Sequence, residues 1–337
     1  MGATIRDVAR AAGVGLGTVS RVLNSSSLVS PATRRRVLDV IAELNYTPSQ
    51  IARSFSSGKT LTVATIAPFF TRPSVVERLR GIEVALAAGG YNLVVFNVET
   101  VARRDACMRD LPRRDRADGL LIISLAPRPA EAADLEASGM PVVLIDTQSE
   151  RQPSVMVDDV CGGELATRHL IELGHRRIGF VGDSLEEQRA FNFTSSANRL
   201  LGYLRALEAS GIAPRPEYEC HGIHGRYEAR VLAQNLLQQP EPPTAIFAAS
   251  DTQAMGVLEA ARDLGILVPA QLSVVGFDDI DVAEYLGLTT VRQPLFETGE
   301  RGVELLLERI SGAASPPEQE YLPIELVSRA TTSQCKM

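Results

Sequence analysis

The chain has 337 residues, 45% of them hydrophobic and 22% charged, with a net charge of −7. That length suggests two or three domains with enough apolar content for large cores, and no apolar run approaches the ~20 residues of a membrane span. Cys107, Cys161, Cys220 and Cys335 lack CxxC spacing, which argues against a zinc cluster or a disulfide framework and fits a reducing cytoplasm. The first capped helix begins too close to Met1 to leave room for a signal peptide, so a cytoplasmic location is expected. Charge is unevenly spread. Residues 1–59 carry eight Lys/Arg against three acidic residues, a balance of +5, and the remainder carries 26 against 38, or −12. A basic head on an acidic body is expected when only the head meets phosphate.

In chain order, Thr4 can cap a first helix, with Asp7 in its first turn. Ile5, Val8, Ala9 and Ala12 recur at helical spacing, and Gly13 supplies the turn. Leu16 to Leu23 read as a second helix with Val19, Val22 and Leu23 inward, leaving Leu16, Gly17, Thr18, Ser20, Arg21 and Asn24 outward. Two short helices about a Gly turn can be an ordinary helical hairpin or a helix-turn-helix whose second helix enters the DNA major groove. A third helix is capped by Ser30, starts at Pro31, and is expected to bury Val37, Leu38, Ile41 and Leu44. The run Arg34–Arg36 reads as a solvated face near DNA. Pro48 then breaks the chain, and residues 50–57 are too few to hold a helix unaided.

The stretch DVARAAGV…TVSRVLN, followed by ELNYTPSQIARSFSSGKT, resembles the N-terminal signature of the lactose-repressor (LacI) family. The resemblance implies a head at 1–48 that contacts DNA through Thr4, Arg6, Leu16, Gly17, Thr18, Ser20, Arg21, Asn24 and Ser30. It also implies a hinge helix at 49–60 in which Ile51, Ala52 and Phe55 reach the minor groove. Phe55 stands where the family places a Leu wedge, and Phe is an accepted intercalating residue.

From Leu61 the texture changes. LTVATIA, YNLVVFNV, GLLIISL, MPVVLID, RRIGFVG, TAIFAAS and LSVVGFD are short buried runs, and helical stretches separate most of them. This alternation predicts an α/β core of doubly wound parallel sheets, and roughly ten strands are too many for one comfortable open sheet, so two lobes are expected. The segments RHLIELGHRRIGFVG, NRLLGYLRAL and AIFAASDTQAMGVLEAARDLGILVPAQLSVVGFDDI extend the resemblance to the periplasmic sugar-binding-protein-like core of LacI-type regulators. By that resemblance the core at 61–337 has a first lobe of about 61–160 plus 293–318 and a second of about 161–292 plus 319–330.

Open parallel sheets bind ligands beyond the carboxyl ends of their strands. The resemblance assigns an effector-binding role to Arg199, in the R-x-x-G-Y pattern, and to Asp278 in GFDD. A bidentate guanidinium suits a hydroxyl, carboxylate or phosphate. Ser195, Ser250, Asp251, Asp158 and Gln293 are further candidates, with Asp251 equally readable as a helix cap and Asp158 and Gln293 as braces at the lobe crossings. The loop after the first strand reads Arg72-Pro73-Ser74-Val75 where many members carry paired aromatics, so Phe69, Phe70, Phe191 or Phe193 must supply any stacking face. Arg72 raises an anionic effector such as a sugar phosphate. His221-x-x-His224 lacks enough neighbours to complete a metal set, and no cofactor is expected.

These features predict an effector-controlled, sequence-specific DNA-binding regulator, a repressor by family, acting as a homodimer on pseudopalindromic operator DNA. No leucine-repeat tail points to a tetramer. The core alone also allows a solute-binding protein of a transport system, but the basic head counts against that. An enzyme on a doubly wound fold lacks its phosphate loop, with neither GxGxxG after the first strand nor GxxxxGK[ST] anywhere, and no acid/base pair has motif context.

Overall fold

The computed structural model describes residues 3–23, 26–46, 60–113, 116–313 and 318–335. Its internal contacts separate a small helical unit ahead of Thr62 from a large α/β unit that carries nearly all the rest.

The small unit holds helices α1 (Ile5–Ala11), α2 (Leu16–Leu23) and α3 (Pro31–Glu43). Thr4 and Asp7 form a reciprocal capping box: Asp7 N donates to Thr4 Oγ1 at 3.4 Å and Thr4 N to Asp7 Oδ2 at 2.9 Å. Gly13 adopts φ 61° at the turn, the left-handed conformation Gly adopts without steric cost. Val8, Ala9, Ala12, Val19, Val22, Val37, Val40 and Tyr46 make the core. On α3 the inward face differs from the sequence expectation. Val37, Val40 and Ile41 turn in, whereas Leu38 is 48% and Leu44 37% exposed. With Val37 inward, the 3.6-residue period carries 40 and 41 to the same side, and 38 lies about 100° away from 37. Arg34 also departs from a solvated role. Its guanidinium donates to Val22 O at 3.4 Å, a carbonyl at the end of α2, and to Ser26 O at 2.5 Å in the turn beyond it. Arg35 and Arg36 are exposed.

The large unit opens with β1 (Thr62–Pro68), α4 (Pro73–Ala88), β2 (Asn92–Val98), α5 (Val101–Asp110), β3 (Gly119–Ile123), α6 (Pro129–Ala137), β4 (Val142–Ile145) and β5 (Ser154–Met156). The chain crosses to a second lobe through α7 (Asp159–Glu172), β6 (Ile178–Asp183), α8 (Leu185–Phe191), α9 (Ser195–Ala209), β7 (Glu219–Gly222), α10 (Arg226–Leu237), β8 (Ala245–Ala248), α11 (Asp251–Asp263), β9 (Ser273–Asp278), α12 (Asp281–Leu286) and β10 (Thr289–Arg292). It returns as α13 (Leu295–Ile310) and β11 (Gln319–Tyr321), then crosses again to β12 (Glu325–Val327). The first sheet runs β11-β5-β4-β3-β1-β2, all parallel, and the second β12-β10-β9-β8-β6-β7, with only β12 antiparallel. Residues 319–321 therefore belong to the first lobe, paired Gln319 to Ser154 and Tyr321 to Met156, and not to the second as the sequence suggests. The polar tripeptide QEY has no apolar run to announce it; the open edge of β5 decides its place.

Each lobe contains helices in backbone contact. In the first, a Cβ on Gly299 of α13 would strike Arg78 O of α4, and one on Gly81 of α4 would strike Phe296 O. In the second, Gly163 of α7 meets Arg199 O of α9, and Gly202 of α9 meets Val160 O. A further such pair there is α10 and α11, where a Cβ on Gly256 would strike Arg226 O. Only Gly permits such close approach.

Candidate functional site

Two sites are built on these units. In the head, Leu16, Gly17 and Arg21 are exposed on α2, with Thr18 and Ser20 half-buried beside them, and Arg6 is exposed on α1. A Cβ at Gly17 would meet nothing within 4 Å. The hydroxyls of Thr4 and Ser30 are engaged as caps, Thr4 Oγ1 donating to Asp7 Oδ2 at 2.6 Å and Ser30 Oγ to Thr33 Oγ1 at 2.9 Å. Asn24, Ile51, Ala52 and Phe55 lie outside the described residues.

The second site is the cleft between the lobes of the core, where strand ends converge. Arg199, from the first turns of α9, is only 6% exposed. Its Nε donates to Asp159 Oδ1 at 2.7 Å, its Nη1 to Ala249 O at 2.6 Å, and its guanidinium lies 3.7 Å over the Phe277 ring. Asp278 ends β9 with φ 118° and stands 3.5 Å from Arg199 Nη1. Gln293, at the crossing after β10, donates from Nε2 to Asp278 Oδ1 at 2.5 Å. Ser195 and Ser250 also line the cleft, although Ser250 Oγ accepts Gln253 N at 3.2 Å as the cap of α11. Arg72 lines the mouth, 4.1 Å over the Phe69 ring and 3.9 Å from Glu187.

Four sequence candidates stand elsewhere. Asp251 is fully buried beneath the site: Oδ1 accepts Thr290 Oγ1 at 2.6 Å and Oδ2 accepts Ile280 N at 3.0 Å, so it braces the loop that carries Asp278. Asp158 is exposed and caps α7 by accepting Cys161 N at 2.9 Å; the carboxylate that turns inward is its neighbour Asp159. Phe69 packs on Phe191, with ring centroids 5.6 Å apart, and does not line the cleft. Phe70 is 43% exposed and faces an outer groove with Leu79 and Phe296.

The structure adds residues that sequence reading missed. Arg78 of α4, 2% exposed, donates through Nη2 to Asp146 Oδ1 at 2.7 Å and to Gln293 Oε1 at 2.8 Å. Ser124 Oγ donates to the other oxygen of Asp146 at 2.6 Å. Asp183 closes the far wall. Its Oδ1 accepts His224 Nδ1 at 2.9 Å and Gln253 Nε2 at 3.1 Å, and its carbonyl accepts His221 Nδ1 at 3.2 Å. The two histidines therefore serve one aspartate, and among the described residues no group of three or more His, Cys, Asp and Glu is placed to hold a metal ion. Two signals could have found these residues: Arg78 interrupts the buried α4 face made by Val75 and Ile82, and Asp146 and Asp183 stand at strand carboxyl ends.

Carboxylates outnumber the cations they meet. Burial, together with the charge of Asp146, pushes the Asp159 carboxyl up to about 6 despite its pairing with Arg199. Burial raises Asp278 and Asp251 as well, Asp251 further because Asp278 is beside it. Burial opposes the ionisation of Asp183 too, but the hydrogen bond from His224 and the charges of Arg72 and Arg199 hold that group below the usual range. Burial lowers Arg72 while Asp183 and Glu187 oppose the shift. The cleft has about 80 Å³ of free interior space, room for a few waters.

A helix-turn-helix head joined to a two-lobed core with a polar cleft defines a DNA-binding transcriptional regulator with a ligand-binding core. The chain belongs to the lacI family of bacterial regulatory proteins. Residues 4–49 match that family and residues 167–332 match the periplasmic binding protein-like domain. The chain is 36% identical over 330 residues to the ribose operon repressor of Haemophilus influenzae, covering 96% of each chain. It is 34% identical over 337 residues to catabolite control protein A of Priestia megaterium, covering 98% of this chain and 100% of the other. Among solved structures, the Lac repressor dimer bound to operator and the anti-inducer ONPF gives a TM-score of 0.86 at 29% identity, over 99% of this chain and 100% of that one. The transcriptional regulator CelR–cellobiose complex gives 0.73 at 32% identity, over 98% and 99%. Among the described residues no helix is long and apolar enough to cross a membrane.

Proposed function

We infer that this regulator is a repressor that binds a pseudopalindromic operator as a homodimer and is controlled by a small, uncharged sugar held between its lobes. One observation carries the ligand class: thirteen of the seventeen residues lining the cleft present guanidinium, carboxylate, amide, imidazole or hydroxyl groups, and Pro68, Val75, Phe193 and Ala249 are the apolar remainder. Such a wall exchanges hydrogen bonds with ring hydroxyls and offers little stacking surface to a planar base. Arg72 is met by Glu187 and Asp183, which disfavours an anionic effector. The head reads DNA through α2, with Arg21 as the base reader and Arg6 on phosphate. A second copy fits the outer groove of the first lobe, about 570 Å³, lined by Phe70, Val76, Leu79, Val84, Leu93 and Phe296 beside the edge strand β2 with exposed Val94 and Val95. An apolar face of this kind on a sheet edge suits self-association.

A mobility shift on random-library operator DNA, repeated with a panel of pentoses, hexoses, sugar phosphates and nucleobases, tests the reading. Enrichment of a two-fold symmetric site, released or tightened by a neutral sugar alone, is the expected result. A response confined to nucleobases or phosphates would overturn the ligand class.

A further inference from the structure

Helix α8 belongs by chain order to the second lobe, where Ser184 caps it and Gln188 Nε2 returns to Asp183 O at 2.9 Å. Its far end is held by the first lobe. The last carbonyls of a helix have no partner within it. Here Phe191 O accepts Arg104 Nε at 3.3 Å, and Ala190 O accepts Arg128 Nη2 at 3.3 Å. Asn192 ends the helix in the left-handed conformation, φ 62°, and donates from Nδ2 to Ala126 O at 3.0 Å. The Phe69–Phe191 ring contact and the Arg72–Glu187 pair join the same helix to the same lobe.

Arg104 shows how committed this contact is. It is 0% exposed, and each of its three nitrogens has a partner. Nη1 meets Asp105 and Glu131 at 3.0 and 2.5 Å, Nη2 meets Glu131 and Ala126 O at 2.7 and 3.1 Å, and only Nε reaches across to the other lobe. Its two carboxylates already balance its charge. What the crossing adds is a donor for an orphan carbonyl, matched to the negative end of a helix. Neither Arg104, Arg128 nor Asn192 lines the cleft, so these contacts are independent of ligand recognition.

We propose that α8 is a latch: Arg104 and Arg128 of the first lobe, with Asn192 of the second, clamp its C-terminal end and hold the two lobes together beside the cleft, so that entry and release wait on its opening. Its regulatory role rests on the reading of the cleft as the effector site, but the latch itself can be tested with neither effector nor DNA.

The test is amide hydrogen exchange on the full chain, ligand-free, comparing wild type with the double variant Arg128→Ala, Asn192→Gly. Glycine keeps the left-handed backbone at 192 and removes only the side-chain donor, and the Arg104–Glu131 pair stays intact. Residues 185–193 should exchange at least tenfold faster, and residues 126–131 of the opposite lobe should quicken with them, while β4 and β8 keep wild-type protection. Arg104→Lys, which retains charge but cannot serve all these acceptors, should move the same two segments; should β4 or β8 also lose protection, that variant is set aside and the double variant decides. Unchanged exchange in both segments, or acceleration confined to 190–193, would overturn the latch, since the second outcome is a helix end fraying by itself. Normal exchange behaviour with no sugar response would instead count against the cleft as effector site.

Discussion

Gln293 and Arg78, 215 positions apart in sequence, meet through a 2.8 Å hydrogen bond from Nη2 to Oε1. Because the other end of the Gln293 amide donates to Asp278, one side chain at the lobe crossing links an arginine of the first lobe to an aspartate of the second that lines the cleft. Both bonds use the amide in a single orientation, so a ligand hydroxyl that takes Asp278 must also change what Arg78 feels.

Replacing Gln293 by Leu keeps the size and removes both bonds. Leaving a buried group unsatisfied costs ~1–3 kcal/mol, so the urea midpoint of the core should drop accordingly. The thermal shift produced by the responding sugar should vanish, while operator binding by the head persists. An unchanged sugar shift would show that the relay is only structural.

Asp278 and Asp251 should separate cleanly. Asp278→Asn should abolish the effector response with modest loss of stability. Asp251→Ala should instead destabilise the core by ~2–4 kcal/mol, because the Thr290 hydroxyl and the Ile280 amide are left buried without their acceptor. Asp158→Ala should cost about 1 kcal/mol as a lost cap and leave sugar affinity unchanged. Isothermal titration beside chemical denaturation distinguishes the three.

The stability that Asp159 contributes to the core should decline as pH rises from about 4 through 6. Asp159, with its carboxyl pushed up to about 6 by burial, binds its proton more tightly in the folded state than in the unfolded chain. The native state therefore holds more protons than the unfolded one in that window, and the stability this provides, full at the acidic end, is lost as pH passes the folded value. Asp278 and Asp251 are raised and act in the same direction. Asp159→Asn should make the slope of urea midpoint against pH shallower; a slope identical to wild type would refute the assignment.

On DNA, Arg21→Ala should lose ~1–3 kcal/mol on the specific site and little on random sequence, whereas Arg6→Ala should weaken both alike and reduce the salt slope. Gly17→Ala supplies a contrast. The methyl group meets nothing in the free head, so the head should become more stable by up to ~1 kcal/mol while operator affinity falls if α2 approaches the bases through its backbone. Circular dichroism melts and binding isotherms read the two effects separately.

Val84, 47% exposed on the outer groove, offers a test of assembly. Val84→Glu should raise the dimer dissociation constant at least tenfold in sedimentation equilibrium, since a carboxylate would have to be desolvated in an apolar interface. An unaltered dimer would place the second copy on another face.

Much of this was legible before any coordinates. The cap residues Thr4, Asp7 and Ser30 announce helix starts because their side chains solve a local problem, the orphan amides of a first turn. Runs such as GLLII and VVLI announce central strands because both faces are covered. What stayed hidden was set by contacts distant in sequence. Arg78 and Arg104 sit on helices as any surface arginine does, and partners 68 and 27 positions away, Asp146 and Glu131, help make their burial tolerable. Asp158 and Asp159 are adjacent and chemically identical; the helix that starts between them points one outward as a cap and the other toward Arg199. Residues 319–321 carry no pattern of their own and take their place from a neighbouring edge.

The glycine contacts beneath the cleft give the pocket an unexpected kind of adjustability. Gly299 rests on the carbonyl of Arg78, and Gly163 rests on the carbonyl of Arg199, so each lobe seats its arginine on the absent methyl of a residue that never sees the ligand. A single added carbon at either position works as a wedge: it would meet a backbone oxygen at 2.2 Å and force the helix and its guanidinium aside by about 1 Å at a cost in packing, while leaving the identity of every lining residue unchanged. Sugar preference in such a protein can therefore drift through substitutions behind the wall, and two chains with identical pocket residues can favour different sugars.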